Sequence, residues 1–174
     1  MNEFVDGLAE KIYYKGGTVH ERGEQYEHLT RLRTRFDTGA EISPNPRYLE
    51  YVLDTLDLSL ASPAPTAAVP SHKMHMTPGL DMDGGRTYRS SVGALLYYKQ
   101  ERVDAQDEVS LLGRMLANPT AGAMTALKRL ACYLHGTRDA VKWLPKPEEA
   151  AAVHTTAGWY ATVPGTWAVS LPHL

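Results

Sequence analysis

The chain has 174 residues, of which 43% are hydrophobic and 22% charged, which suits one globular domain or two small ones sharing a core. Its net charge of −2 gives no overall attraction to nucleic acid, and its single cysteine excludes a disulfide framework and a cysteine-based zinc site. No apolar run reaches the roughly 20 residues of a membrane helix, and the start lacks the features of a secretory signal. We therefore expect a protein of the cytosol or nucleus with no membrane partner. We also expect no small-molecule substrate.

Residues 1–27 show no clean period, and the first clear pattern is an alternation between His28 and Phe36. Its two faces are Arg31, Arg33 and Arg35 on one side and Leu32, Thr34 and Phe36 on the other. Period-two alternation of this kind is typical of a half-buried strand. The turn sequence DTG at 37–39 and the short segment 40–43 then predict a β-hairpin.

A helix is predicted after the hairpin, with Asn45 as its cap, Pro46 in its first turn and an end near Leu58. Its apolar stripe is Tyr48, Leu49, Val52, Leu53 and Leu56. Residues 59–85 are rich in proline and end in a Gly-Gly pair, which predicts a long connector over the surface.

Three further helices are predicted at 87–99, 104–116 and 120–135, the last capped by Thr120 and leaving through left-handed geometry at Gly136. Segments 151–155 and 166–171 are weak strand candidates. The pattern indicates an α/β or α+β fold. Its predicted parts are a hairpin and helix at 1–58, a connector at 59–85, a helical region at 86–146 and a truncated strand segment at 147–174.

Several stretches of the second half resemble copia-type retrotransposon Pol polyproteins. They are YRSSVGALLY at 88–97, RVD at 102–104, VSLLGR at 109–114, NPT at 118–120 and the run from ALKRL to GTRD at 126–139. Matched spacing over about fifty residues is more specific than any single motif. The resemblance implies that 1–58 is an edge of the polymerase palm with the thumb, that 86–146 is the connection region, and that 147–174 begins a ribonuclease-H-like domain.

The catalytic residues that this resemblance implies are missing from the sequence. Polymerase and ribonuclease H chemistry both need several carboxylates around two metal ions. The sequence FVDG at 4–7 has one aspartate where the family has two, and we interpret it as coincidence. Aligned on Trp159, the chain places Thr156 and Gly158 where the nuclease has aspartates, and neither residue binds magnesium strongly. The chain also ends before the later carboxylates, so we predict a non-catalytic fragment without metal or cofactor.

Binding remains open, because basic residues concentrate locally: residues 84–146 hold ten Lys and Arg against five Asp and Glu. The candidate nucleic-acid contacts are Arg31, Arg33, Arg35, Lys128 and Arg129. The expected partner is an RNA–DNA hybrid or another nucleic acid, held through its backbone. Solvated basic faces are the alternative interpretation. A third hypothesis is an RNA-directed DNA polymerase and ribonuclease H completed by missing domains on another chain.

Overall fold

The structure is a computed structural model that describes residues 20–68, 74–146 and, for the backbone alone, 168–170. It has the α+β class that the sequence predicts. The strands are β1 (Gln25–His28), β2 (Arg31–Arg35), β3 (Gly39–Pro44), β4 (Val141–Pro145) and β5 (Ala168–Ser170). The helices are α1 (Arg47–Thr55), α2 (Met82–Tyr98), α3 (Gln106–Gly113) and α4 (Ala121–Gly136). None of the helices in the described ranges is long and apolar enough to span a membrane.

The strands form one antiparallel sheet in the order β1-β2-β3-β4-β5. The predicted β2–β3 hairpin is confirmed, and Arg33 lies opposite Ile42 in its register. Strand β4 was not predicted. It follows the last helix and pairs with β3, so that Ile42 also lies opposite Lys142. The sheet therefore joins the start of the described chain to its end.

Strand β1 was also missed, because its turn into β2 lacks the residues that signal a hairpin. The turn consists of Leu29 and Thr30, whose φ angles are 50° and 66°. Positive φ at both central positions defines the two-residue turn that suits twisted strands, and Gly or Asn usually occupies it. Leu29 and Thr30 adopt it at a steric cost, so composition gave no warning of the turn.

Helix α1 has the predicted apolar stripe, since Leu49, Val52 and Leu53 are buried. Asn45 accepts a hydrogen bond from the Arg47 amide at 3.2 Å. The helix begins at Arg47, however, so Pro46 rather than the predicted Asn45 is the residue at its N-cap. The helix ends at Thr55, three residues before the predicted end. The stripe packs α1 against α2 and α4, and these helices share one hydrophobic core.

Helix α4 is the central element of that core and has the predicted Thr120 cap, whose hydroxyl accepts from the Ala123 amide at 3.2 Å. Its buried stripe is Ala123, Ala126, Leu127, Leu130, Ala131 and Leu134. The predicted left-handed exit at Gly136 is wrong, because Gly136 is the last helical residue and lacks a positive φ. Its lack of a side chain serves packing instead: a Cβ there would lie 2.5 Å from Pro63.

The predicted surface connector at 59–85 is packed more closely than its composition suggests. Ala67 and Met74 are buried in the helical core, with 7% and 1% exposure. The Gly84-Gly85 pair is not connector but the first turn of α2, which begins at Met82 and has Asp81 as its cap. Two hydrogen bonds, from Leu80 to Pro119 and from Ala121 to Pro78, fix the connector against the start of α4.

The junction between α2 and α3 also differs from prediction. The predicted helices at 87–99 and 104–116 are an α2 that ends at Tyr98 and an α3 confined to Gln106–Gly113. Two single 3-10 turns, Lys99–Glu101 and Val103–Ala105, link them. These turns reverse the chain within a few residues and bring Glu101 and Arg102 into the interior, at 5% and 1% exposure.

Candidate nucleic-acid interface

Arg102 is the most deeply buried charged side chain of the described residues, and its neighbours come from the motifs noted above. Its guanidinium donates two hydrogen bonds to Asp104, at 2.9 and 2.7 Å. It also donates to the carbonyl oxygen of Thr137 at 2.9 Å, which lies just past the end of α4. The Tyr133 hydroxyl donates to Asp104 at 2.8 Å. The RVD and GTRD segments therefore meet in one buried network.

The network pairs one positive side chain, Arg102, with one negative side chain, Asp104, and the pKa values of its members are shifted by this pairing. Burial alone would raise the pKa of Asp104, but the hydrogen bonds and charge of Arg102 outweigh it and lower the pKa below its ordinary value. Burial and the Asp104 carboxylate raise the pKa of Tyr133. An ionised Asp104 and a neutral Tyr133 are thus favoured together, which suits a permanent structural contact.

The YRSS segment at the centre of α2 is structural in the same way. The buried Tyr88 hydroxyl donates to the Leu112 carbonyl at 2.8 Å, and burial raises the pKa of Tyr88 to about 12. Arg89 donates to the carbonyl of Leu116 at 3.0 Å. The Leu112 carbonyl also accepts from the Met115 amide, so the side chains of α2 add a second contact at the end of α3 and in the segment after it. The motif residues thus hold the helices together.

Arg31, one of the predicted nucleic-acid contacts, has a partner inside the protein. Its Nε lies 2.8 Å from the carboxylate of Glu101, which is itself buried. The Lys142 amine approaches the other oxygen of Glu101 at 3.5 Å. Glu101 thus joins the sheet to the α2–α3 junction, and Arg31 could bind phosphate only at the expense of this buried pair.

Arg33 and Arg35 lie differently, because they line an open cleft on the same face of the sheet, of about 320 Å³. Lys146 lines the cleft beside them, and no carboxylate is among its described lining residues. The Arg33 Nε is buried without a hydrogen-bond partner in the part of the chain that is described. The cleft therefore carries three positive charges, which is a suitable environment for an anion. We refer to it as the sheet cleft.

Lys128 and Arg129, the other predicted contacts, are exposed on α4 and do not line the sheet cleft. Arg129 donates to the Thr66 hydroxyl at 3.1 Å. The structure therefore brings Arg33 and Arg35 together and adds Lys146, which sequence reasoning missed. Its position directly after a strand that was not predicted hid the proximity. Thr156 and Gly158 lie outside the described residues, as does the FVDG segment at 4–7.

A second, larger groove of about 600 Å³ lies between the hairpin, α1 and the end of α4. Its wall is mixed, with Leu49 and Leu53 beside Glu50, Asp54 and Asp139. Against these three carboxylates the wall has one guanidinium, that of Arg138, so its net charge is unfavourable for a polyanion. In the ranges 20–68 and 74–146, no group of three His, Cys, Asp or Glu side chains is arranged to hold a metal ion.

Comparison with curated proteins identifies one class of relatives, the retrovirus-related Pol polyproteins of transposons. The chain is 28% identical over 137 residues to the Pol polyprotein from transposon RE1 of Arabidopsis thaliana, and 33% identical over 139 residues to that from transposon RE2 of the same plant. These matches cover 79% and 80% of the chain and confirm the resemblance drawn from its motifs. The chain spans only 9% of the length of either relative, so its similarity is to a short segment of these polyproteins. No family model and no solved structure matches it.

Proposed function

We propose that the chain is a non-catalytic segment of a copia-type Pol polyprotein that retains weak, sequence-independent binding to the backbone of an RNA–DNA hybrid or another nucleic acid. The sheet cleft carries this proposal, because Arg33, Arg35 and Lys146 line it without a carboxylate among the described lining residues. Arg33 and Arg35 are alternate residues of one strand, about 6–7 Å apart along it, which is close to the spacing of phosphates in a nucleic-acid strand. Arg31 contributes to the fold instead, through Glu101.

Binding through phosphates predicts a specific salt dependence. Three contacts should give a log–log slope of roughly −2 to −3 for a labelled RNA–DNA hybrid, measured by filter binding over a series of salt concentrations. Replacing two of the contacts in the double variant Arg33→Gln, Arg35→Gln should reduce the slope to about −1 and weaken binding at low salt.

The matched control is Arg86→Gln with Arg114→Gln, which removes the same charge from exposed positions outside the cleft. This control should keep the slope of the unaltered protein. Equal slopes for the two double variants, or no binding of hybrid at low salt, would contradict backbone binding at the sheet cleft.

The non-catalytic half of the proposal rests on Thr156 and Gly158, which stand where the resemblance places aspartates. Without these ligands a pair of metal ions has no firm support. The pure protein should therefore leave a labelled hybrid intact and fail to extend a primer in magnesium or manganese. A ribonuclease H in the same buffer is the positive control. Steady cleavage that EDTA abolishes would favour the alternative, an active part of a polymerase and nuclease.

A further inference from the structure

The sheet register shows what lies between the charges of the sheet cleft. Residues directly opposite each other in an antiparallel sheet share a face. One row across the cleft face is Tyr26, Arg33, Ile42 and Lys142, and the next is Arg35, Ala40 and Leu144. Ala40 is the smallest side chain of the two rows. The hollow therefore lies over Ala40, with Arg35 on one side across the sheet and Leu144 on the other.

This arrangement has the two chemical halves of a nucleotide. Arg33 and Arg35 on β2 suit a phosphate, while Leu144 on β4 and Ile42, next to Ala40 along β3, offer an apolar surface. Lys146, which follows β4, adds a positive charge on the Leu144 side. Tyr26, directly opposite Arg33, adds an aromatic ring to this face, whereas the Phe36 ring packs against Trp143 of the other face, with 5.8 Å between the ring centroids. A site that combines positive charge with apolar and aromatic surface is typical of proteins that bind single strands.

We propose that the sheet cleft takes one unpaired nucleotide of a single-stranded nucleic acid, with its base over Ala40 and its phosphate on the arginine side. This inference rests on the proposed function and specifies its ligand. The bases of a hybrid are stacked inside the duplex, so a duplex can reach the charges of the cleft only with its backbone. A single strand can turn a base outward into the hollow.

The test separates base from backbone by comparing two labelled oligonucleotides of twelve residues, one with bases and one abasic throughout. Both carry the same phosphates, so a difference in their dissociation constants, measured by fluorescence anisotropy, reports the bases alone. We expect the single strand with bases to bind about fivefold or more tightly, the lower end of what one stacked base contributes. Equal affinities would overturn the inference.

A substitution that fills the hollow without changing its charge tests whether the base lies over Ala40. Ala40→Leu should bring the ratio of the two affinities close to one, because the added side chain occupies the space of the base. The same substitution at the exposed Ala121, outside the cleft, should keep the ratio of the unaltered protein. A ratio that survives Ala40→Leu would contradict the placement of the base.

A competition experiment on the unaltered protein keeps the inference testable if Ala40→Leu fails to fold. Adenosine 5′-monophosphate should displace the labelled single strand at concentrations where inorganic phosphate does not, and equal displacement would overturn the inference. Failure of the inference is distinct from failure of the proposed function. Abasic binding that depends on Arg33 and Arg35 without any base effect refutes the nucleotide site alone, whereas the absence of all abasic and hybrid binding refutes both.

Discussion

Replacing Arg102 with alanine is expected to lower the free energy of unfolding by about 3–5 kcal/mol, as is typical when one partner of a buried ion pair is removed. The guanidinium is 1% exposed and holds both Asp104 and the end of α4. Without it, the Asp104 carboxylate keeps only the Tyr133 hydroxyl as a side-chain partner from another element. The Thr137 carbonyl keeps only the Ala140 amide as a donor.

Urea denaturation followed by circular dichroism measures this effect. With a slope of about 2 kcal/mol per molar urea, the midpoint should fall by roughly 2 M. Arg114→Ala is the control, because Arg114 is exposed and has no hydrogen bond or ion pair to another side chain in the described residues. Its effect should stay within about 0.5 kcal/mol. Similar midpoints for the two variants would mean that the buried contacts of Arg102 do not stabilise the fold.

Replacing Leu127 with alanine is expected to cost about 2–5 kcal/mol, the usual range for a fully buried leucine. Leu127 is 0% exposed and lies at the centre of the α4 stripe, within the core shared by all four helices. The lost side chain leaves a cavity that the surrounding helices can fill only in part, and the cost depends on how far they relax.

Leu60→Ala provides a matched control for this second prediction, since the same atoms are removed from a fully exposed side chain. Its urea midpoint should stay within the error of the unaltered protein, because surface substitutions usually change stability by less than about 0.5 kcal/mol. A Leu127→Ala midpoint equal to that of Leu60→Ala would show that α4 does not form the core of the protein in solution.

Local signals in the sequence were sufficient to predict the elements whose ends are marked by capping or terminating residues. Thr120 and the α4 stripe predicted that helix almost to the residue. Strand β4 could not be found in this way, because Pro145 and the short run before it suggest a break. The pairing with β3 makes this segment a strand, and a partner so distant in sequence leaves no local trace.

The candidate site was predicted only in part, again because some of its residues come together through contacts that are distant in sequence. Alternation correctly placed Arg31, Arg33 and Arg35 on one strand, but it treated them as equivalent. The difference between them lies in Glu101, which neutralises Arg31 from a 3-10 turn far along the chain. Lys146 joined the site through β4, and Ala40 gained its importance only from the register. Charge and alternation in the sequence identify the basic face of the strand, whereas tertiary contacts decide which of its residues are available to bind a ligand.

The pairing of β3 with β4 has a consequence for how the protein is made. Ile42 emerges from the ribosome about 100 residues before its partner Lys142, a wait of roughly 5–20 s at ordinary rates of synthesis. Closing so long a segment costs roughly 4 kcal/mol of chain entropy, which the helices must first reduce by folding. Throughout that interval β3 exposes an unpaired edge that another nascent chain can join. The yield of native protein should therefore fall when many nascent copies of the chain are translated close together.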